Sequence, residues 1–284
     1  MAFRKINNAK ELSVKAYQIR QDIIMMLVAA KSGHTAGPLG MADIFSALYF
    51  NVMNHDPKKP DWDKRDMFFL SNGHICAVLY SALAHAGYFP REKLLGFRKL
   101  GSMLQGHPHK GEVPGVENSS GPLAQGISIA VGAAIAAKMD KKDIRIYLGM
   151  SDGECEEGQM WEAFMMAGNR KLDNLIAFVD RNNIQIDGKT DDVMSLEPFA
   201  EKCRAFNWEV ISIDGNDMKE ILGGFGRAKK VKGKPIVIIA NTVPGKGVSF
   251  IEGDYRWHGK PPNEEEGDAS LKELKAIEEK IRGR

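Results

Sequence analysis

The chain of 284 residues is long enough to bury a substantial core, and its formal net charge of +2 argues against a dedicated nucleic-acid binder. Its three cysteines, Cys76, Cys155 and Cys203, are widely spaced, with neither a disulfide framework nor zinc spacing, which points to a reducing cytoplasm. The longest near-apolar run, 127–137, is too short to span a bilayer, and the polar start of the chain lacks the apolar core of a signal peptide, so a soluble protein is expected.

In chain order, residues 11–30 carry Leu12, Tyr17, Ile23, Ile24, Leu27 and Val28 at helical spacing, a long amphipathic helix. A glycine-rich loop over 31–40 follows, with His34 at its centre, and helix resumes over 41–53. Residues 67–70 read as a strand broken at Ser71-Asn72-Gly73-His74, with a helix over 75–86 after it. The stretch 102–121 is rich in glycine and proline and has little periodicity, a long loop of the kind that is usually functional. Pro122 is well placed near the start of the small-residue helix that follows.

Residues 144–188 organise the rest. An apolar run over 144–150 breaks at Ser151-Asp152-Gly153, residues 159–170 repeat apolar positions at helical spacing, and a second apolar run over 175–179 ends in Asp180-Arg181-Asn182-Asn183. This is one βαβ unit, and in an open parallel sheet the carboxyl ends of its strands line one crevice. Either turn alone reads as an ordinary surface turn. Together they set Asp152 and Asn182 across the crevice, one carboxylate and one amide oxygen, a donor set thin for calcium and suited to magnesium completed by phosphate oxygens. Gly153 would let the chain approach a phosphate, at which the following helix aims its amides.

Beyond 188 the α/β alternation continues: helix over 194–206, strand over 208–213, helix over 217–228 and strand over 235–240. A helix over 270–281 closes the chain, with Ser270 and Glu273 at capping-box spacing, and the proline- and glutamate-rich stretch 261–267 is where a tail would detach. The lysines over 229–234 form a solvated cluster. Of seven histidines, His34, His74, His107 and His258 fall in loops beside glycine, without metal-ligand spacing. At one sheet edge, such imidazoles would hold phosphate oxygens or move protons on sugar hydroxyls. His55 and His85 look ordinary.

The string Asp152 to Ala163, followed by Asp180 to Gly188, resembles the signature of thiamine-diphosphate enzymes and in particular of the transketolase family. Ser151 stands where that family usually has glycine, and Ala124 where it often does. The resemblance implies magnesium, or calcium or manganese in its stead, on Asp152, Asn182 and the backbone carbonyl of Ile184. It implies cofactor contacts from Gly153 and Ile186, and from Gly121, Pro122 and Leu123 of Ser120-Gly121-Pro122-Leu123-Ala124-Gln125-Gly126. His34, in Ser32-Gly33-His34-Thr35-Ala36-Gly37-Pro38-Leu39-Gly40, would contact the donor sugar. His74 would lie near the diphosphate, and His107, in Gly106-His107-Pro108, by the donor's terminal hydroxyl. His258, in Trp257-His258-Gly259, would touch both diphosphate and substrate. Glu157 would reach across a dimer interface.

The fold so implied is a single three-layer αβα domain over 1–284, with a mostly parallel sheet and with 260–284 a linker plus C-terminal helix. The implied reaction is transfer of a two-carbon ketol unit between sugar phosphates, in the pentose phosphate pathway. The family's pyrimidine-binding domain, with its activating glutamate, would begin where this chain stops. The resemblance is therefore to the N-terminal subunit of a split transketolase, active only with a C-terminal partner, most simply as two copies of each. Three other readings are weaker. The Trp257-His258-Gly259 segment argues against a deoxyxylulose-phosphate synthase, and retention of the metal pair and four loop histidines against a non-catalytic paralogue. A nucleotide-binding protein would want a Gly-x-Gly-x-x-Gly after a strand, and none is present.

Overall fold

The computed structural model describes residues 5–283. Its centre is a five-stranded parallel sheet in the order β1 (Met67–Leu70), β2 (Ile146–Ser151), β3 (Leu175–Arg181), β7 (Ile236–Asn241) and β6 (Glu209–Asp214). The inner strands β2, β3 and β7 are apolar along most of their length because both faces are covered, whereas the edge strand β6 alternates buried and exposed residues. In β3, Ile176 and Phe178 point into one core, and Leu175, Ala177 and Val179 into the other. Each such side chain contributes roughly 1.5–3 kcal/mol by leaving water.

One face is covered by α1 (Ala9–Ala30), α2 (Ala36–Ala47), α3 (Cys76–Ala86) and α8 (Met218–Ala228). The other is covered by α4 (Gln125–Met139), α5 (Gly158–Asn169) and α7 (Phe199–Ala205). The three-layer αβα expectation holds. No helix among the described residues is long and apolar enough to cross a membrane.

Several boundaries differ from the sequence reading. The loop after α1 ends at Thr35, and Ala36 to Gly40 already belong to α2. Pro38 sits in that helix's first turn, where its missing N–H has no intrahelical role. The stretch 194–206 is not one helix: only α7, which begins just after Pro198, is helical within it, and the short α6 (Thr190–Val193) ends before it. A small hairpin, β4 (Ile184–Gln185) and β5 (Gly188–Lys189), went unread because two-residue strands carry no periodicity.

The last helix, α9 (Glu264–Arg282), starts earlier than Ser270. Its capping box is Asn263 with Glu266. Ser270 lies mid-helix and donates to the Glu266 carbonyl, while Glu273 accepts from the Ser249 backbone and hydroxyl. Nor is 261–267 loose. Gly267 packs so closely on Val28 that an added Cβ would lie 2.5 Å from it, and Gln18 and Gln21 of α1 donate to Glu278.

Candidate active site

The carboxyl ends of β1, β2 and β3 open into a cavity of about 340 Å³. Its wall includes His34, His74, His107 and His258, Gly121 and Leu123, Asp152, Gly153 and Glu154, and Asn182, Ile184 and Ile186. Of the residues read from sequence, Pro122 and Glu157 are exposed and outside this wall. A larger cleft of about 440 Å³ beside Val28 and Pro261 holds none of the motif residues, so chemistry and not volume identifies the site.

Asp152 follows β2 directly and is 1 % exposed. Its carboxylate accepts from the backbone of Gly153 at 2.8 Å and of Asn183 at 2.7 Å, and from Arg181 at 3.2 Å. Burial pushes its carboxyl above the ordinary value, against the opposing pull of those donors. Ser151, where glycine was the family expectation, closes β2 as regular strand, so glycine's freedom is not needed there. Ala124 takes a left-handed φ of 60°, a conformation that favours glycine.

Asn182 follows β3 and is held by Asp180, whose carboxylate accepts its Nδ2 at 2.8 Å and the hydroxyl of Thr242. With Nδ2 so committed, Oδ1 is the free acceptor end of the amide; it takes the Ile184 amide at 3.1 Å and keeps a second lone pair. Asp180 is fully buried, and that burial pushes its carboxyl up to about 7. The sequence assigns Asp180 no role beyond the break after the second apolar run; the distant Thr242 reveals it.

Glu154 was also missed. It ties three loops of the cavity together, accepting from the Ser71 hydroxyl, from the Ala124 amide at 2.5 Å and from the Ser151 amide at 3.2 Å. Burial raises its carboxyl to about 6. Neighbouring Glu156 accepts from Gln185 of the hairpin.

The donors near Asp152 are a carboxylate, an amide oxygen and a backbone carbonyl, all hard oxygens and no thiolate. Among the described residues no group of three His, Cys, Asp or Glu side chains could hold a metal unaided. That set fits magnesium, which commonly draws its remaining ligands from phosphate and water.

Three imidazoles form the other wall. Ring centroids are 4.9 Å apart for His34 and His74, and 5.4 Å for His34 and His258 and for His74 and His258. Burial, then the neighbouring imidazoles and Arg98, takes His34 from 6.5 down to about 4; burial and the neighbouring imidazoles drive His74 well below its usual range. His258 and His107 are lowered too, chiefly by burial. The rings are therefore neutral near pH 7, able to donate from one nitrogen and accept at the other. Nδ1 of His34 is buried with no partner. Gly121 lies against His107, 3.7 Å from where its Cβ would stand.

Residues 12–279 match the family model described as transketolase, thiamine diphosphate binding domain. The chain is 46% identical over 242 residues to a 6-deoxy-6-sulfo-D-fructose transketolase subunit from a Clostridium species, covering 85% of this chain and 88% of that one. It is 40% identical over 270 residues to an apulose-4-phosphate transketolase subunit from Phocaeicola vulgatus, covering 95% and 96%. Among solved structures, the transketolase of Campylobacter jejuni superposes with a TM-score of 0.85 at 34% identity, covering 98% of this chain and 48% of that one. The chain thus spans about half the length of that solved transketolase and nearly all of the two relatives named as subunits. The chain belongs to the transketolase family, as its thiamine-diphosphate-binding domain.

Proposed function

We propose that this chain, a single domain over 1–284, is the diphosphate-binding subunit of a two-subunit transketolase. With a C-terminal subunit it moves a two-carbon ketol unit from a ketose phosphate to an aldose phosphate. The observation that carries this is the single cavity joining an oxygen-only donor set to a wall of neutral imidazoles. Asp152, Asn182 Oδ1 and the Ile184 carbonyl hold magnesium, and Gly153 admits the diphosphate. Leu123 and Ile186, with Gly121 and Pro122 beside them, pack on the cofactor. His74 and His258 donate to diphosphate oxygens. His34, His107 and His258 orient the donor's hydroxyls and take or return their protons. Thiamine diphosphate, when bound, supplies the electron sink for breaking and making the carbon–carbon bond.

The cofactor's activation needs a carboxylate at its aminopyrimidine, and two of the nearby acids are already engaged, Glu154 by three loops and Glu156 by Gln185. A partner's pyrimidine-binding domain supplies that group. Glu157 is exposed at the start of α5, without a side-chain cap bond, and reaches across the interface. Ile129 and Met139 of α4 and Met165 and Met166 of α5 are exposed apolar side chains on the helix that Glu157 begins and on the one packed against it, suited to an obligate assembly, most simply α2β2. Two relatives named as subunits act, by their names, on apulose 4-phosphate and on a sulfonated fructose, so an unusual anionic ketose is a fitting donor here. Three buried thiols suit the cytoplasm. Titration calorimetry of thiamine diphosphate into the two-subunit complex tests the site: binding should require magnesium, and magnesium-independent binding would refute it.

A further inference from the structure

Among the described residues, Arg98 is the one cation that touches both sugar-facing loops, and the sequence reading did not single it out. It follows a short helical turn, Arg91–Gly96, and takes a left-handed φ of 58°, which costs an arginine about 1 kcal/mol. Its Nη1 donates to Ser32 Oγ at 2.9 Å, two residues before His34. Its Nη2 donates to the Gly106 carbonyl at 3.3 Å, one residue before His107. Nε is buried with no partner, and no carboxylate among the described residues pairs with the guanidinium. Both loops present glycine to it: a Cβ on Gly106 would lie 3.1 Å from the guanidinium carbon, and one on Gly33 3.7 Å from Nε. The second loop is anchored from behind as well, by Tyr80 to the Gln105 carbonyl at 3.0 Å and by Cys76 to the Gly106 carbonyl at 3.1 Å.

An arginine kept only for stability would ordinarily find a carboxylate, since an unneutralised, partly buried charge is unfavourable. This one instead spends its rigid fork on two loops whose common content is one imidazole each. We propose that Arg98 is a positioning residue that sets the spacing of His34 and His107, and so the fit of the sugar donor, without lining the cavity itself. The part concerning the donor rests on the proposed function. The charge has a second effect: it presses on His34 and His107, whereas His258 owes its lowered basicity to burial alone. His34 also faces His74, His258 and His107, and no acid counters them.

The test uses Arg98→Lys, which keeps the charge and loses the fork, and Arg98→Met, which loses both. In the two-subunit complex with fructose 6-phosphate as donor, both should raise the donor KM about tenfold or more, while magnesium-dependent cofactor affinity moves less than about twofold. Histidine NMR titration of the chain itself gives an independent readout. In Arg98→Met the midpoints of His34 and His107 should rise and that of His258 stay; in Arg98→Lys all three should stay low. Should Arg98→Met fail to fold, Ser32→Ala removes one of the two bonds and should raise the donor KM about threefold. An unchanged donor KM in Arg98→Lys or Ser32→Ala, or cofactor affinity falling in step with it, overturns the proposal. If the wild-type complex transfers no ketol unit, the proposed function falls. The titration then decides for Arg98, and unmoved midpoints in Arg98→Met overturn it.

Discussion

At the end of the cavity that carries Asp152 and Asn182, every functional side chain is braced before any ligand arrives. Asp152 takes hydrogen bonds from Gly153, Asn183 and Arg181, and Asn182 is clamped by Asp180, itself held by Thr242. The imidazole wall is built otherwise. None of His34, His74, His107 or His258 forms a side-chain hydrogen bond among the described residues, and the rings of His34, His74 and His258 face one another instead. Pre-organised oxygens suit an ion that tolerates little variation in geometry. Unpaired neutral imidazoles suit a polyhydroxylated substrate, whose oxygens replace water and complete their hydrogen bonds. The difference separates anchoring from turnover, and substitutions at the two ends should separate in the same way.

The largest effect belongs to the anchor. Asp152→Ala removes the charged member of the donor set, and magnesium-dependent binding of thiamine diphosphate by the two-subunit complex should be lost in titration calorimetry. Retained affinity would show that the anchor lies elsewhere. At the other wall, His34→Ala and His107→Ala should each lower turnover by about 10²–10⁴-fold and leave cofactor affinity nearly intact. Near-normal kcat at saturating donor would make that histidine structural.

The imidazole wall also has a pH signature. His34 sits at about 4 in the folded chain and near 6.5 when unfolded, so the unfolded state binds the extra proton between those values. Stability therefore falls as pH drops through 6.5 towards 4, by about 3 kcal/mol from this group. Denaturant melts of wild type and His34→Asn across that window isolate it: the variant should gain on wild type as pH falls, and parallel curves would contradict the burial argument. The smallest effect tests the brace behind the anchor. Asp180→Asn sets an amide against the Asn182 amide, and magnesium affinity should fall about 10–100-fold, with donor KM at saturating metal unchanged. Loss of both together would mean that Asp180 supports the whole cavity and not its metal end.

Much of this was legible in the chain. The strands announce themselves because a parallel sheet covered on both faces needs continuous apolar runs, and Asp152 and Asn182 stand at the breaks of two such runs. The four loop histidines are marked by their glycines. What stayed hidden depends on partners distant in sequence: Ser71 for Glu154, Thr242 for Asp180, and the loops of Ser32 and Gly106 for Arg98. No local pattern reports such pairs. The start of α9 was misplaced for a simpler reason, since Ser270 and Glu273 copy the spacing of a cap that Asn263 and Glu266 form.

The division of labour between this chain and a partner is tested most directly by reconstitution. The purified chain would be assayed for ketol transfer with magnesium and thiamine diphosphate, alone and mixed with the C-terminal subunit. Transfer should appear only in the mixture, because Glu154 and Glu156 are committed within this chain and the proposed function takes the activating carboxylate from the partner. Comparable transfer by the chain alone would contradict the account.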